Sequence, residues 1–268
     1  MKKVLSIQDL SCVGKCSLTV ALPVLSAMGI SCSVLPTAVL STHTGFPKPH
    51  RSSLTEHMVP MATHWETIGA EFDGVCVGYL ADPRQVAAVK EILSRQKGLK
   101  VVDPVMGDHG RLYSGISPEQ VEETAKLCRL GDVLVPNITE AAFLTGLPYR
   151  ENADPGYYRE LLEGMKSFGA GAVILTGAAL SEGQIGCVGT CRESGDFTYQ
   201  TGRLDKQFHG TGDLFAAVLT GGLLLGKDLP QAATLAAGFV ERVIGNTPDV
   251  TPFGVDFEPE LPWLWQQL

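Results

Sequence analysis

Three short runs in this 268-residue chain carry residue types that can do chemistry. The strongest is Phe208-His209-Gly210-Thr211-Gly212-Asp213-Leu214-Phe215: two glycines bracket a threonine, an aspartate follows, and an apolar stretch begins. Glycines let a ligand approach the backbone and adopt conformations that other residues resist. Their amides would point into the space ahead of a helix N-terminus, where about half a positive charge resides. That makes an anion hole suited to charge developing on a transferring phosphoryl group. Asp213 falls in the first turn beside it, placed to accept a proton from a hydroxyl. The same run also reads as a Gly-rich turn before a capped helix, with an acid where the helix dipole favours one.

The second run is Asp103-Pro104-Val105-Met106-Gly107-Asp108, with Gly110 and Tyr113 in the loop that continues it. Asp103 and Asp108 are hard oxygen ligands suited to Mg²⁺, directly or through water. Asp-Pro and Gly-Asp are equally at home in a solvated turn. The third run, Pro136-Asn137-Ile138-Thr139-Glu140, ends a strand and opens a helix. Asn137 with Glu140 three residues on has the pattern of a capping box. In a functional reading the pair orients Mg²⁺-bound water and a triphosphate.

The elements that position these runs follow from hydrophobic periodicity and breakers. Strands are expected at 4–8, 32–39, 74–79, 99–103, 132–136 and 172–176, with an antiparallel pair at 185–189 and 197–202. Helices are expected at 17–29, 52–69, 83–97, 118–129, 139–145, 156–168, 211–225 and 230–244, the second kinked or split at Pro60. The runs around Val75, Val101, Val133 and Val173 are continuously apolar, as strands buried on both faces should be. The alternation implies an α/β fold of three layers, α/β/α, around a mostly parallel sheet. With no internal repeat or interdomain linker, 1–268 reads as a single domain. Ligands of such sheets sit beyond the carboxyl ends of the strands. Asp9, Tyr79, Asp103, Asn137 and Thr176 all fall at or just after such ends.

Composition narrows the partners. A net charge of −8 argues against nucleic acid, which needs clustered Lys and Arg. No run of 18 apolar residues predicts a membrane span, and the start lacks the long apolar core of a signal peptide. Seven scattered cysteines, an odd number, read as reduced thiols of a cytoplasmic protein.

Taken together, the motifs resemble those of the ribokinase-like superfamily, and within it the pyridoxal (vitamin B6) kinases. The resemblance runs through Ser6-Ile7-Gln8, Ser41-Thr42-His43-Thr44-Gly45, Gly78-Tyr79-Leu80, the Asp103–Asp108 run, Asn137-Ile138-Thr139-Glu140 and Gly210-Thr211-Gly212-Asp213. It implies an ATP-dependent kinase that phosphorylates the 5'-hydroxymethyl group of a B6 vitamer. Asp213 would be the base, and Gly210, Thr211 and Gly212 would line the hole. Asp103, Asp108, Asn137 and Glu140 would organise Mg²⁺ and the phosphates, with Asp103, Asp108 and Glu140 as the metal-side carboxylates. Tyr113 and Thr176 would lie along the nucleotide, and His43, Thr44 and Tyr79 at the ring. Asp213 is expected to keep an ordinary carboxylate pKa. A homodimer and a monovalent cation near the hole belong to the same expectation. A hydroxymethylpyrimidine or hydroxymethylpyrimidine-phosphate kinase would use the same base and hole. A non-catalytic binding protein on this fold is the reading from another class.

Two departures stand out. The resembled kinases typically carry a ring-contacting serine where this chain has Asp9, so a cationic partner is expected there, such as a protonated ring nitrogen or the amine of pyridoxamine. Thr176-Gly177-Ala178 is less polar than usual. Gly14-Lys15-Cys16-Ser17 mimics the end of a P-loop but lacks its first glycine and the hydroxyl after lysine. The pairs Cys12/Cys16 and Cys187/Cys191 lack zinc-site spacing. His50, His57 and His64 repeat the seven-residue spacing of His43 across a loop with Pro47 and Pro49, which one helix cannot hold.

Overall fold

The computed structural model describes residues 1–151, 153–204, 206–248 and 251–268. In chain order the elements begin β1 (Lys3–Val13), α1 (Leu18–Ala27), β2 (Ser31–Thr42), β3 (Arg51–Ser53), α2 (Thr55–Thr67), β4 (Gly74–Val77), α3 (Pro83–Arg95) and β5 (Leu99–Val102). They continue with β6 (Gly107–Asp108), β7 (Arg111–Leu112), α4 (Pro118–Cys128), β8 (Val133–Leu134), α5 (Ile138–Thr145), α6 (Pro155–Lys166) and β9 (Ala172–Ala178). The last are β10 (Gln184–Cys191), β11 (Gly195–Gly202), α7 (Thr211–Leu224), α8 (Leu229–Asn246) and α9 (Leu261–Gln266).

Nine strands form one sheet in the order β11-β10-β9-β8-β5-β4-β1-β2-β3. The stretch from β9 to β2 is parallel, and antiparallel strands finish both edges. One apolar core lies between the sheet and α2 to α6, the other between the sheet and α1, α7, α8 and α9. Burial on both faces explains the all-apolar β4, whose four residues are all buried. This is the three-layer, mostly parallel α/β/α fold that the sequence pattern implies.

Side-chain caps start most of the helices around the site. Asp82, Ser117, Asn137, Asp154 and Asp228 each accept a backbone amide at the start of α3, α4, α5, α6 and α8. Each cap contributes roughly 1 kcal/mol. Pro60 does not split α2. It lies on the exposed face, where water can take the carbonyl that its missing N–H leaves free. The expected start of that helix at 52 is also corrected: residues 51–53 are the edge strand β3.

Candidate active site

The anion hole is built by an uncapped helix. Gly210, at φ 88°, is the N-cap of α7 and offers no side chain to the first turn. The first helical bond runs from Leu214 N–H to the Gly210 carbonyl, so the amides of Thr211, Gly212 and Asp213 have no backbone acceptor among the described residues. A Cβ at 210 would run into the Lys15 carbonyl oxygen, so glycine is required both by conformation and by space.

Asp213 stands in that first turn, half-buried. Its Oδ2 accepts the Ser17 amide at 2.8 Å. Burial pushes the carboxyl from 3.8 up to about 7, with the Ser17 amide opposing and the charge of Asp9 adding to the rise. The expectation of an ordinary carboxylate is therefore corrected, because the chain folded around the carboxyl keeps water from its charged form. A group poised near neutrality is well matched to take a proton from an alcohol as phosphoryl transfer proceeds.

Ser17 itself is unusual. It adopts φ 54° and ψ −124°, a region that L side chains rarely occupy. An isolated antiparallel bridge pairs it with Leu10, so the loop after β1 folds back and lays Ser17 beside that strand. Its hydroxyl donates to Asp9 Oδ1 at 2.6 Å, and the Ser11 hydroxyl donates to Asp9 Oδ2 at 3.0 Å. Asp9 and Ser11 share one face of β1, as alternate residues must. Within the fold, the partners of Asp9 are thus two serine hydroxyls. Both oxygens are committed to serines, and the residue is 4% exposed.

The acidic cluster lies at the carboxyl ends of β5 and β8. Asp103 follows β5 and is 7% exposed. Burial, then the charges of Glu140 and Asp213, push its carboxyl well above the usual range. A Cβ on Gly212 would sit 3.9 Å from Asp103 Oδ2, so the mouth of α7 and the strand-end acid face each other. Asn137 and Glu140 form the capping box of α5. Glu140 Oε2 accepts Asn137 N–H at 2.8 Å and Oε1 accepts Met106 N–H at 3.0 Å. Asn137 Nδ2 donates to the Gly107 carbonyl at 2.8 Å.

The segment after Asp103, which reads as a loop in sequence, contains the β6–β7 hairpin. His109 at φ 49° and Gly110 at φ 72° make its two-residue turn, the pattern of a type I′ turn. Gly110 N–H donates to Thr139 Oγ1 at 2.9 Å, which ties the hairpin to the start of α5. Tyr113 faces the cluster: burial and the charges of Glu140, Asp108, Asp103 and Asp213 raise its phenol.

The three carboxylates expected around Mg²⁺ are not drawn into one cluster. Among the described residues no group of three or more His, Cys, Asp or Glu is arranged to hold a metal. Asp108 sits exposed on the hairpin, where its Oδ1 accepts the His109 amide. Glu140 is engaged by backbone amides. Asp103 is the one that fits: a buried, charge-crowded oxygen donor whose repulsion from Glu140 a hard dication would relieve.

A family model described as phosphomethylpyrimidine kinase matches residues 24–254. The chain belongs to that family. A pyridoxine/pyridoxal/pyridoxamine kinase of Bordetella bronchiseptica is 30% identical over 260 residues, covering 91% of this chain and 89% of its own. A candidate phosphomethylpyrimidine kinase from Bacteroides thetaiotaomicron, crystallised with pyridoxal, matches with a TM-score of 0.93 at 34% identity, covering 98% of this chain and 95% of that one. The pyridoxal kinase of Leishmania donovani, in complex with ADP and pyridoxamine, matches with a TM-score of 0.86 at 26% identity, covering 98% and 96%. The phosphomethylpyrimidine kinase family here takes in the ribokinase-like pyridoxal kinases that the motifs resemble.

Within this family framework the remaining residues fall on two sides. Tyr79 follows β4, buried against Met106 and Ile116. Burial raises its phenol, while the Arg51 guanidinium, which hydrogen-bonds it, works the other way. His43 is buried after β2: Nδ1 accepts Gly45 N–H at 3.2 Å, which leaves Nε2 to donate to the Pro252 carbonyl at 3.1 Å. Its ring packs on His209 at 4.6 Å. Thr44 is exposed beside it. Thr176, near the end of β9, forms an isolated bridge with Asn137. Lys15 turns to Asp256 at 2.6 Å and Glu258 at 2.7 Å, both carboxylates of the C-terminal segment. All seven cysteines are free thiols, and no helix among the described residues is long and apolar enough to cross a membrane. Sequence reasoning missed Ser11, Ser17 and Arg51. Only Ser11 left a signal, its two-residue spacing from Asp9 on a strand.

Proposed function

We infer that this chain is an ATP-dependent kinase that phosphorylates the 5'-hydroxymethyl group of pyridoxal, pyridoxine or pyridoxamine. One observation carries the reading. A carboxylate poised near neutrality stands in the first turn of an uncapped helix whose free amides face a strand-end acid. The named relatives, one with pyridoxal and one with ADP and pyridoxamine, support it.

In this reading Asp213 takes the proton of the hydroxymethyl group as its oxygen attacks the γ-phosphorus. The bond to the bridging oxygen breaks and ADP leaves with the electron pair. The amides of Thr211, Gly212 and Asp213 meet the equatorial oxygens where charge spreads in a loose transition state. Asp103 would hold Mg²⁺, with Glu140 behind it, while Asp108 on the exposed hairpin would add its charge from the solvent side. When bound, the metal would supply charge neutralisation for the phosphates. Asn137 acts by fixing Gly107 and α5, and Tyr113 and Thr176 flank the nucleotide. His43, Thr44 and Tyr79 wall the ring. A single domain working as a homodimer in the cytoplasm completes the proposal; the free thiols support a reducing compartment.

The family description leaves a pyrimidine substrate as the competing reading, and the B6 relatives weigh against it. The test is an ATP-dependent assay on the three vitamers and hydroxymethylpyrimidine, with mass analysis of products. Phosphorylation of a vitamer is expected. Turnover of the pyrimidine alone, or of none of the four, would overturn the assignment.

A further inference from the structure

A linkage from β1 to the residue that precedes α1 takes no direct part in the phosphoryl transfer. Asp9 is one of the most buried acids in the chain, yet it faces no cation. Its two oxygens receive the hydroxyls of Ser17 at 2.6 Å and Ser11 at 3.0 Å. Ser17 is held at φ 54° and ψ −124°, a conformation that strains a residue with a side chain. Something must hold it there. The charge-assisted hydrogen bond to Asp9 is the strong interaction available to its side chain. In that conformation the Ser17 amide points at Asp213 Oδ2 and donates to it at 2.8 Å. No other protein hydrogen bond to the Asp213 carboxylate occurs among the described residues, so this amide alone orients it through a polar contact.

We propose that Asp9 is a positioning residue for Asp213: it pins the Ser17 hydroxyl, and so aims the Ser17 amide that fixes one carboxylate oxygen and leaves the other for the substrate hydroxyl. The proposal rests on Asp213 being the base. It differs from the sequence-based expectation, in which Asp9 contacts the ring and selects among vitamers. Asp9 is only 4% exposed, and each of its oxygens already carries a serine hydroxyl, so its contacts within the fold point to Ser17 rather than outward. The Asp9 charge also bears on the base, since it is among the groups that raise the Asp213 carboxyl.

A group displaced by about 1 Å from its productive position loses up to about 100-fold in rate. Asp9→Ala and Ser17→Ala should therefore each lower kcat by about 10- to 100-fold, with KM for every vitamer and for ATP held within about twofold. Asp9→Asn keeps an acceptor for Ser17 and should recover most of kcat. The Asp9→Ala/Ser17→Ala double variant should be no worse than the worse single, because the two act as one unit. If Asp9→Ala does not fold, Ser17→Ala, which removes one hydroxyl, carries the same test. The idea is overturned if kcat survives while KM for one vitamer rises, which would make Asp9 a ring contact. It is equally overturned if Asp9→Asn is as poor as Asp9→Ala, or if the two losses simply add. A native chain that phosphorylates nothing sinks the assignment of function as well; an active native chain with an unimpaired Asp9→Ala sinks this inference alone.

Discussion

Replacing Asp213 by Asn removes a carboxyl whose ionisation the fold opposes. Burial lifts that carboxyl from 3.8 to about 7, against the pull of the Ser17 amide. At about 1.4 kcal/mol per tenfold change in proton affinity, the ionised form costs on the order of 4 kcal/mol. The folded state holds this proton more tightly than the unfolded state. The stability it contributes is complete below about pH 4 and is lost as pH rises through about 7. Asparagine carries no such penalty. The stability of Asp213→Asn relative to the native chain should therefore grow between pH 4 and pH 8, by up to about 4 kcal/mol. Asp103 adds to the gain in the same direction, since the charge of Asp213 is one of the groups that raise it. Denaturant unfolding of the ligand-free proteins across that range reads the difference directly. The same substitution should cut kcat by about 10²- to 10⁴-fold while MgATP still binds, and native kcat/KM should fall about tenfold from pH 8 to pH 6. A relative stability that does not change with pH, or a variant that keeps its kcat, would refute the reasoning.

Gly210→Ala forces a Cβ onto the Lys15 carbonyl at φ 88°; it should cost more than about 1 kcal/mol in denaturation and about 10²- to 10³-fold in kcat. Asn137→Ala removes the cap of α5 and the bond to the Gly107 carbonyl. A loss of about 0.5–2 kcal/mol in thermal stability is expected, with weaker MgATP binding by calorimetry and unchanged KM for the vitamers. Lys15→Met breaks two ion pairs that are partly open to solvent. Steady-state kinetics should find kcat within about threefold of native, and high salt should erase the small stability loss; a P-loop lysine would cost orders of magnitude.

The parts of the fold that were legible are those where one local rule decides. β4, β5, β8 and β9 are covered on both faces by helices, so their sequences run apolar and announce themselves. Asp82-Pro83, Ser117-Pro118 and Asp154-Pro155 mark helix starts because the cap and the proline act within one turn. β3, β6 and β7 were missed because two or three residues hold no period. The helix expected from residue 52 begins only after Leu54, which offers no side-chain cap at all. His109 is an uncommon residue for a type I′ turn, and the hairpin it helps to make is secured from outside by Asn137 and Thr139.

The site divides along the same line. Gly210 and Asp213 could be placed at the mouth of a helix because a glycine pair and an apolar run fix that geometry within six residues. The acidity of Asp213 could not be placed, since it depends on what the fold packs around the carboxyl and on an amide 196 positions away in sequence. Ser17 is the extreme case. A serine at positive φ leaves no mark in composition or spacing, and its conformation exists only while the returning loop pairs it with Leu10 and Asp9 holds its hydroxyl. An acid where a serine is usual looks, in sequence, like a change of ligand. In the fold it is one end of a strut whose other end is the base. Residues of that kind are legible only when the partner that the chain brings back to them is known.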